Sequence, residues 1–502
     1  MSPAVTVLSI RITDDAEPAL RLDGLLDEPA TALTHVDLVG ARLRLSGPVH
    51  TDGTAFHATI PLLASKWGGH VLPPPSGDYA VHFRMADAAV PGIRITQPST
   101  PAQLHPSLFA AHLTTTLDSA TVTFAAPLTA EETGADAQAR LEADYRTANP
   151  EPINAVFFES FYGQNASCNP LAIDRELARV RPDVARYWSV ADASVDVPPG
   201  AIPIVDGSAE WWRVRGAARL LVVNDWLRKR FRPRRFQTVL QTWHGTPLKR
   251  IALTRPGIRP RAAVATVLER KRWDILLSQN PYSTGIFRTA YAYFAAPWEE
   301  GYPRNDVLVH DDSAVLRSKL GISDTATVVL YAPTWRDDDP TRVDQLDVAA
   351  FSRELGPDYV VLIRGHSRSL RGGSDVHADN VIDVTTYPDA SELFLVSDML
   401  VTDYSSVMFD YSVTGKPIYF FTPDLDRYRN QMRGFYFDLL AASPGPVAQS
   451  AAELTALITN PGDTAANYAE RYSAWQKKFN PKDDGGAASR VVARLLARGV
   501  LD

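Results

Sequence analysis

Four polar clusters could carry chemistry, because each places an imidazole, hydroxyl or cation at the end of a short apolar run. In Gln241-Thr242-Trp243-His244-Gly245-Thr246-Pro247-Leu248-Lys249-Arg250, a histidine beside glycine is followed by two cations. The run Val361-Leu362-Ile363 ends in Arg364-Gly365-His366-Ser367, and Leu400-Val401 ends in Thr402-Asp403-Tyr404-Ser405-Ser406. Tyr331-Ala332-Pro333-Thr334-Trp335-Arg336 adds a further hydroxyl and guanidinium. Two histidines at separate strand ends could face each other across a cleft, one as a base and one as a phosphate anchor. Small hydroxyl residues opening a helix offer an anion backbone N–H groups and the positive end of the dipole. Each cluster also has a plainer reading: a loop histidine satisfied by carbonyls, or N-capping by Ser405 or Asp403.

Other chemistries lack their signatures. The chain has neither a G-x-x-x-x-G-K-[ST] loop nor a G-x-G-x-x-G turn, so neither a P-loop nor a dinucleotide site is indicated. No HExxH or comparable spacing argues for a metal, and the acids at 337–339 read as a solvated loop, so no cofactor is expected. The single cysteine, Cys168, excludes an internal disulfide framework and fits a reducing compartment.

The elements that must position these clusters follow from the hydrophobic pattern. After Asn149, short apolar runs such as INAVFFE, RLLVV, TVLQ, ATVVLYA, DYVVLI and DMLVT alternate with helical patterns. This rhythm predicts parallel βαβ units in two successive α/β halves, each with its loops at the carboxyl ends of its strands. Residues 1–128 read instead as a β-rich, sandwich-like domain of short alternating runs punctuated by Gly, Pro and Asp. A charged, Ala-rich helix is expected over 129–148, with Thr129 and Glu132 at capping-box spacing, in a linker at 129–150. The expected units are thus 1–128, 129–150, 151–315 on the acceptor and membrane side, and 316–502 for the nucleotide donor.

Charge is unevenly spread. The net charge is −7, yet residues 211–273 hold 17 Lys and Arg against two acids. Clustering of this kind implies an anionic partner. No nucleic-acid-binding motif accompanies it, so no nucleic-acid partner is expected. Arg228, Lys229, Arg230, Arg232, Arg234 and Arg235 are candidates for contact with an anionic membrane surface, assisted by Trp211, Trp212, Trp226 and Leu220/Leu221. The N-terminus lacks a secretory pattern and no run is apolar enough to span a bilayer, so the expected location is the cytoplasm, peripheral to the inner membrane face.

Taken together and in this order, the motifs resemble the CDP-glycerol glycerophosphotransferase family of teichoic acid primases and polymerases. FFESFYGQNASCNP (157–170), QTWHGTPLKR (241–250), SQNPYSTGIFRTAYAY (278–293), GYPRND (301–306), YAPTWRD (331–337), RGHS (364–367), the stretch 402–428 and RGFYFDL (433–439) carry the resemblance. It implies a GT-B-type pair of Rossmann-like domains and transfer of a polyol phosphate from CDP-glycerol, or next CDP-ribitol, to a lipid-linked or polymeric acceptor, with release of CMP. His244 and His366 match the family's essential histidines. Ser405 and Ser406 match phosphate-binding hydroxyls, and Thr334, Arg336, Arg364, Thr402 and Asp403 fall in donor-site segments. Gly245, Thr246, Lys249, Arg250 and Arg304 fall on the acceptor or anion side. No metal is implied.

The chain departs from the family's K-x-x-G-x-D at Lys249-Arg250-Ile251-Ala252-Leu253-Thr254, which bears on acceptor recognition. The first 150 residues lie outside the resemblance, as an acceptor-glycan binder or an oligomer interface. Two alternatives remain: a sugar-nucleotide glycosyltransferase on the same fold, and a non-catalytic polymer-binding protein.

Overall fold

The computed structural model describes residues 5–13, 17–27, 33–65, 67–85, 93–309, 313–334, 345–365, 380–424 and 434–501. His366 and Arg336 lie outside the described residues.

The apolar runs after Asn149 form two separate sheets because their strands are buried on both faces, which suits parallel pairing under covering helices. In the first lobe seven strands lie in the order Ile202–Val205, Ala185–Val190, Ile153–Glu159, Ala218–Val223, Thr238–Gln241, Ile275–Ser278 and Trp298–Glu299. All six pairings are parallel. The second lobe repeats the pattern with six strands: Val381–Asp383, Tyr359–Ile363, Thr327–Ala332, Met399–Thr402, Ile418–Phe421 and Val447–Ala448. Its pairings are parallel too. In each lobe the first strand in sequence is central and its neighbours on either side run outward in opposite directions. The strand order therefore reverses between Ile153–Glu159 and Ala218–Val223, and again between Thr327–Ala332 and Met399–Thr402. Such switch points leave a crevice at the carboxyl ends.

Residues 316–502 do not all pack together. The last helix, Ala487–Ala497, buries Val491, Val492 and Leu495 in the core of the first lobe. Asp306 accepts the N–H groups of Ala487 and Ala488 at its start, at 2.9 and 2.7 Å.

The N-terminal region is a ten-stranded, mostly antiparallel sheet. Strand Arg44–Asp52 serves both of its halves, pairing through Arg44–Pro48 with Leu33–Val39 and through Val49–Asp52 with Ala55–Pro61. Both halves deliver inward-facing side chains such as Val7, Leu20, Val36 and Val122 to one core, so the sheet closes over itself. Its loops touch both lobes. Ser76 N–H donates to Asp192 at 2.7 Å on the first lobe, and the Trp67 ring meets Tyr387 of the second at 5.5 Å.

The linker helix is shorter than expected and spans Ala135–Thr147. Gly134, at φ 93°, precedes it and breaks the pattern. The Thr129/Glu132 pair forms a turn instead, with the Glu132 carboxylate accepting Thr129 N–H at 3.0 Å and Ala209 N–H at 2.7 Å.

Candidate active site

The first lobe builds its half of the site at the switch point. Asn224, just past Ala218–Val223, accepts Phe161 N–H on Oδ1 at 2.9 Å and donates to Ser160 Oγ at 3.1 Å, tying the two strand-end loops together. Its carbonyl accepts His244 Nδ1–H at 2.6 Å. A carbonyl can only accept, so the proton sits on Nδ1 and the Nε2 lone pair is left available. Trp243 stacks on the half-buried imidazole at 4.9 Å and Phe161 meets it edge-on at 5.6 Å. The backbone here is strained: Phe161, Tyr162, Cys168 and Trp243 have φ of 45°, 58°, 66° and 55°. Four non-glycine residues in the left-handed region lie around this turn, a conformation that persists only where the surrounding contacts hold it.

Two buried networks hold the turn. Arg304 donates through Nη1 to the His244 carbonyl at 2.9 Å and to Cys168 Sγ at 3.1 Å, and through Nη2 to Asp410 of the second lobe at 2.6 Å. Asn305 reaches the other Asp410 oxygen at 3.0 Å. Burial works against the Arg304 charge, but Asp410 and Cys168 more than offset it and hold its pKa above the ordinary value. In the second network Thr246 donates to Gln279, which donates to Asp483 at 2.6 Å. Asp483 also accepts Tyr302 N–H at 2.8 Å, and burial pushes its carboxyl up to about 6. Asn280 supports the same loop, capping helix Pro281–Ala290 by accepting Ser283 N–H at 2.8 Å.

The second lobe answers across the cleft. A Cβ at Gly245 would lie 3.1 Å from Ser406 Oγ, so the histidine turn and Ser406 pack closely against each other. Ser405 and Ser406 are half-buried, and Ser406 makes no side-chain cap bond to the five-residue helix Val407–Tyr411. The remaining motif residues are committed elsewhere. Thr402 Oγ1 donates to Ala332 O at 2.8 Å, and Asp403 accepts Thr334 N–H at 2.8 Å and Tyr404 N–H at 2.5 Å. These bonds fix one switch-point loop against the other. Arg364 donates to Tyr387 O at 2.9 Å, and its pKa is pushed down to about 10 by burial. Arg304 and Arg364 thus each tie backbone segments together within the protein. Lys249 and Arg250 sit where the lobes are stitched: Lys249 bridges Phe435, and Arg250 N–H donates to Gly434 O at 3.2 Å.

The basic stretch also differs from expectation. Trp211, Trp212, Leu220 and Leu221 are buried in the first lobe's core, so they cannot face a membrane. The reason is local: helix Ala209–Ala217 turns both indoles beneath the sheet, and Trp211 Nε1 donates to buried Ser189 at 2.8 Å. Several of the cations are neutralised internally, with Lys229 on Asp206 at 2.9 Å and Arg230 near Glu142 at 3.4 Å. Arg228 covers the Tyr162 ring at 3.2 Å, Arg234 lies over Tyr145 at 4.6 Å, and Arg232 and Arg235 are exposed. Sequence reasoning gave no role to Asn224, Gln279, Asn305, Asp410 or Asp483. Each is an ordinary polar residue made significant by tertiary contact; Gln279, Asn305 and Asp410 lie inside motif segments, but nothing local marked them out within those segments.

Two doubly wound lobes with facing strand ends, one presenting an imidazole and the other paired hydroxyls, frame a GT-B-type transferase. Residues 145–497 match the family described as CDP-Glycerol:Poly(glycerophosphate) glycerophosphotransferase, and the chain belongs to that family. It is 37% identical over 367 residues to the teichoic acid glycerol-phosphate transferase of Staphylococcus aureus, covering 68% of this chain and 93% of that protein. It is 35% identical to the teichoic acid poly(glycerol phosphate) polymerase of Bacillus subtilis, covering 68% of this chain and 48% of that one. A solved structure of the wall teichoic acid polymerase TagF superposes with a TM-score of 0.67 at 34% identity, covering 73% of this chain and 94% of that chain.

Proposed function

We propose that the chain moves glycerol phosphate from CDP-glycerol to the terminal hydroxyl of a poly(glycerol phosphate) acceptor. The acceptor oxygen attacks the β-phosphorus, its proton passes to His244 Nε2, and the β-phosphorus–oxygen bond to CMP breaks. Ser405 and Ser406 hold the donor phosphates, with His366 and Arg336 as further donor-side candidates and Thr334 set in place by Asp403. Phosphoryl transfer asks a protein mainly for positioning and charge stabilisation, and the cleft is built for positioning. The observation that carries this reading is the Nδ1–H bond to Asn224 O, which leaves the Nε2 lone pair available on a turn whose Gly245 lies against Ser406. Glycerol is favoured over ribitol because two glycerol-phosphate relatives match at 37% and 35% identity over 68% of the chain, whereas ribitol-phosphate polymerases match at 32% over 34% and at 25% over 56%. Acceptor-dependent CMP release tests the reading. CDP-glycerol should support it and CDP-ribitol should be a poor donor; release of a nucleoside diphosphate from a sugar nucleotide would overturn it.

The partner that brings the acceptor is an anionic membrane surface on the cytoplasmic side. Among the described residues no helix is long and apolar enough to cross a bilayer. Helix Pro260–Arg270 instead exposes Val264 and Leu268, one turn apart, at 59% and 54%. Exposed Arg255, Arg259, Arg261 and Lys271 flank them, and this mix of apolar and cationic groups suits shallow interfacial binding. Val264→Asp with Leu268→Asp should abolish sedimentation with anionic vesicles; unchanged sedimentation would remove this face from the proposal.

A further inference from the structure

A cavity of about 640 Å³ opens where the end of helix Ala135–Thr147 meets the irregular stretch 228–235. Arg146, Arg230, Arg232 and Arg272 line it together with Phe231 and Pro233, and no residue of the cleft described above takes part. Arg272 is paired with Glu269 at 2.7 Å and Arg230 with Glu142 at 3.4 Å. Arg146 and Arg232 have no carboxylate partner among the described residues; the Arg232 guanidinium donates to the Arg146 carbonyl. Two unneutralised guanidinium groups thus share one concave site with two more cations, and an anion carrying several charges relieves their repulsion.

The geometry points to this cavity as the seat of the growing poly(glycerol phosphate) chain, behind its reacting end. This deepens, and rests on, the reading of the reaction given above. Three observations favour that occupant. First, the walls alternate guanidinium with apolar Phe231 and Pro233, as a chain of phosphates joined by three-carbon units requires. Second, the cavity is tied to the cleft through contacts and chain: Phe161 touches His244, adjacent Tyr162 lies under Arg228 at 3.2 Å, and Arg230 and Arg232 follow Arg228 at alternate positions in the sequence. Third, the spacing is commensurate. Alternate residues lie at most about 7 Å apart and are separated by six backbone bonds, the same number that separates successive phosphorus atoms in a glycerol phosphate chain joined through its end carbons.

The test is binding of a fluorescently labelled glycerol phosphate decamer to the full chain and to an Arg146→Gln/Arg232→Gln variant, with anionic phosphatidylglycerol vesicles in a parallel arm. Loss of two charge-assisted contacts should weaken decamer binding by roughly tenfold or more. Arg146→Lys/Arg232→Lys should restore most of it, and all forms should melt together because both side chains are exposed. Vesicle binding should stay unchanged. Equal decamer affinity in wild type and the Gln variant overturns the proposal. So does a loss confined to vesicles, which would make the cavity a lipid headgroup site. Because binding needs no turnover, a wild type that binds the decamer but releases no CMP would refute the reaction and leave this site standing.

Discussion

The two lobes share one strand order but use their strand-end motifs differently. In the first, the motif histidine keeps a ring nitrogen for the cleft while a shell of other residues orients it: Asn224 through its carbonyl, Trp243 and Phe161 by packing, Arg304 from behind. In the second, Thr402, Asp403 and Arg364 bond backbone groups, while half-buried Ser406, next to Ser405, lies against the turn. The contrast teaches that a polar residue at a strand end is either a contact or a joint. Only its hydrogen-bond partners decide which. It also locates the dependence between the lobes, since Asp410 of the second holds Arg304, which holds the histidine turn of the first.

The largest expected effect separates contact from joint. His244→Ala should lower kcat by about 100-fold to 10,000-fold, the range of general base catalysis, while the protein melts normally. Near-wild-type turnover would remove His244 from the chemistry. Arg304→Ala should act on stability, because it strands the buried Asp410 charge; a loss of about 3–5 kcal/mol in urea unfolding is expected. Adding Asp410→Ala should recover part of that loss, and a double variant no more stable than the single would deny the coupling. The smallest effect is on pH dependence. Burial raises the Asp483 carboxyl from 3.8 to about 6, so the folded chain keeps a proton that the unfolded chain has already released. That contribution is complete below about pH 4 and is lost as pH rises to about 6. Asp483→Asn should therefore flatten the stability profile across this window, and an unaltered profile would contradict the assignment.

Much of this architecture was readable in advance for a physical reason. Strands buried on both faces are continuous apolar runs, and Ala218–Val223 or Thr327–Ala332 can hardly be anything else. The position of His244 at a strand end followed directly. The burial of Trp211 and Trp212 did not, because adjacent indoles among arginines read equally well as a surface patch until the helix is docked. Strands such as Ala19–Leu26 and Thr100–His105 are hard to read from the sequence because Gly, Asp and Pro interrupt their alternation. The roles of Asp410, Asn305 and Asp483 cannot be read for a different reason, since the partners that define them lie more than 100 residues away in the chain.

The central claim is a division of labour, with chemistry on the first lobe and donor binding on the second. Titration of CDP-glycerol into His244→Ala and into Ser405→Ala/Ser406→Ala tests it most directly. The account predicts a donor Kd within about twofold of wild type for the histidine variant, and one weakened about tenfold for the serine pair, as the loss of two hydrogen bonds implies. Wild-type affinity in the serine variant, with donor binding lost instead in the histidine variant, would contradict it.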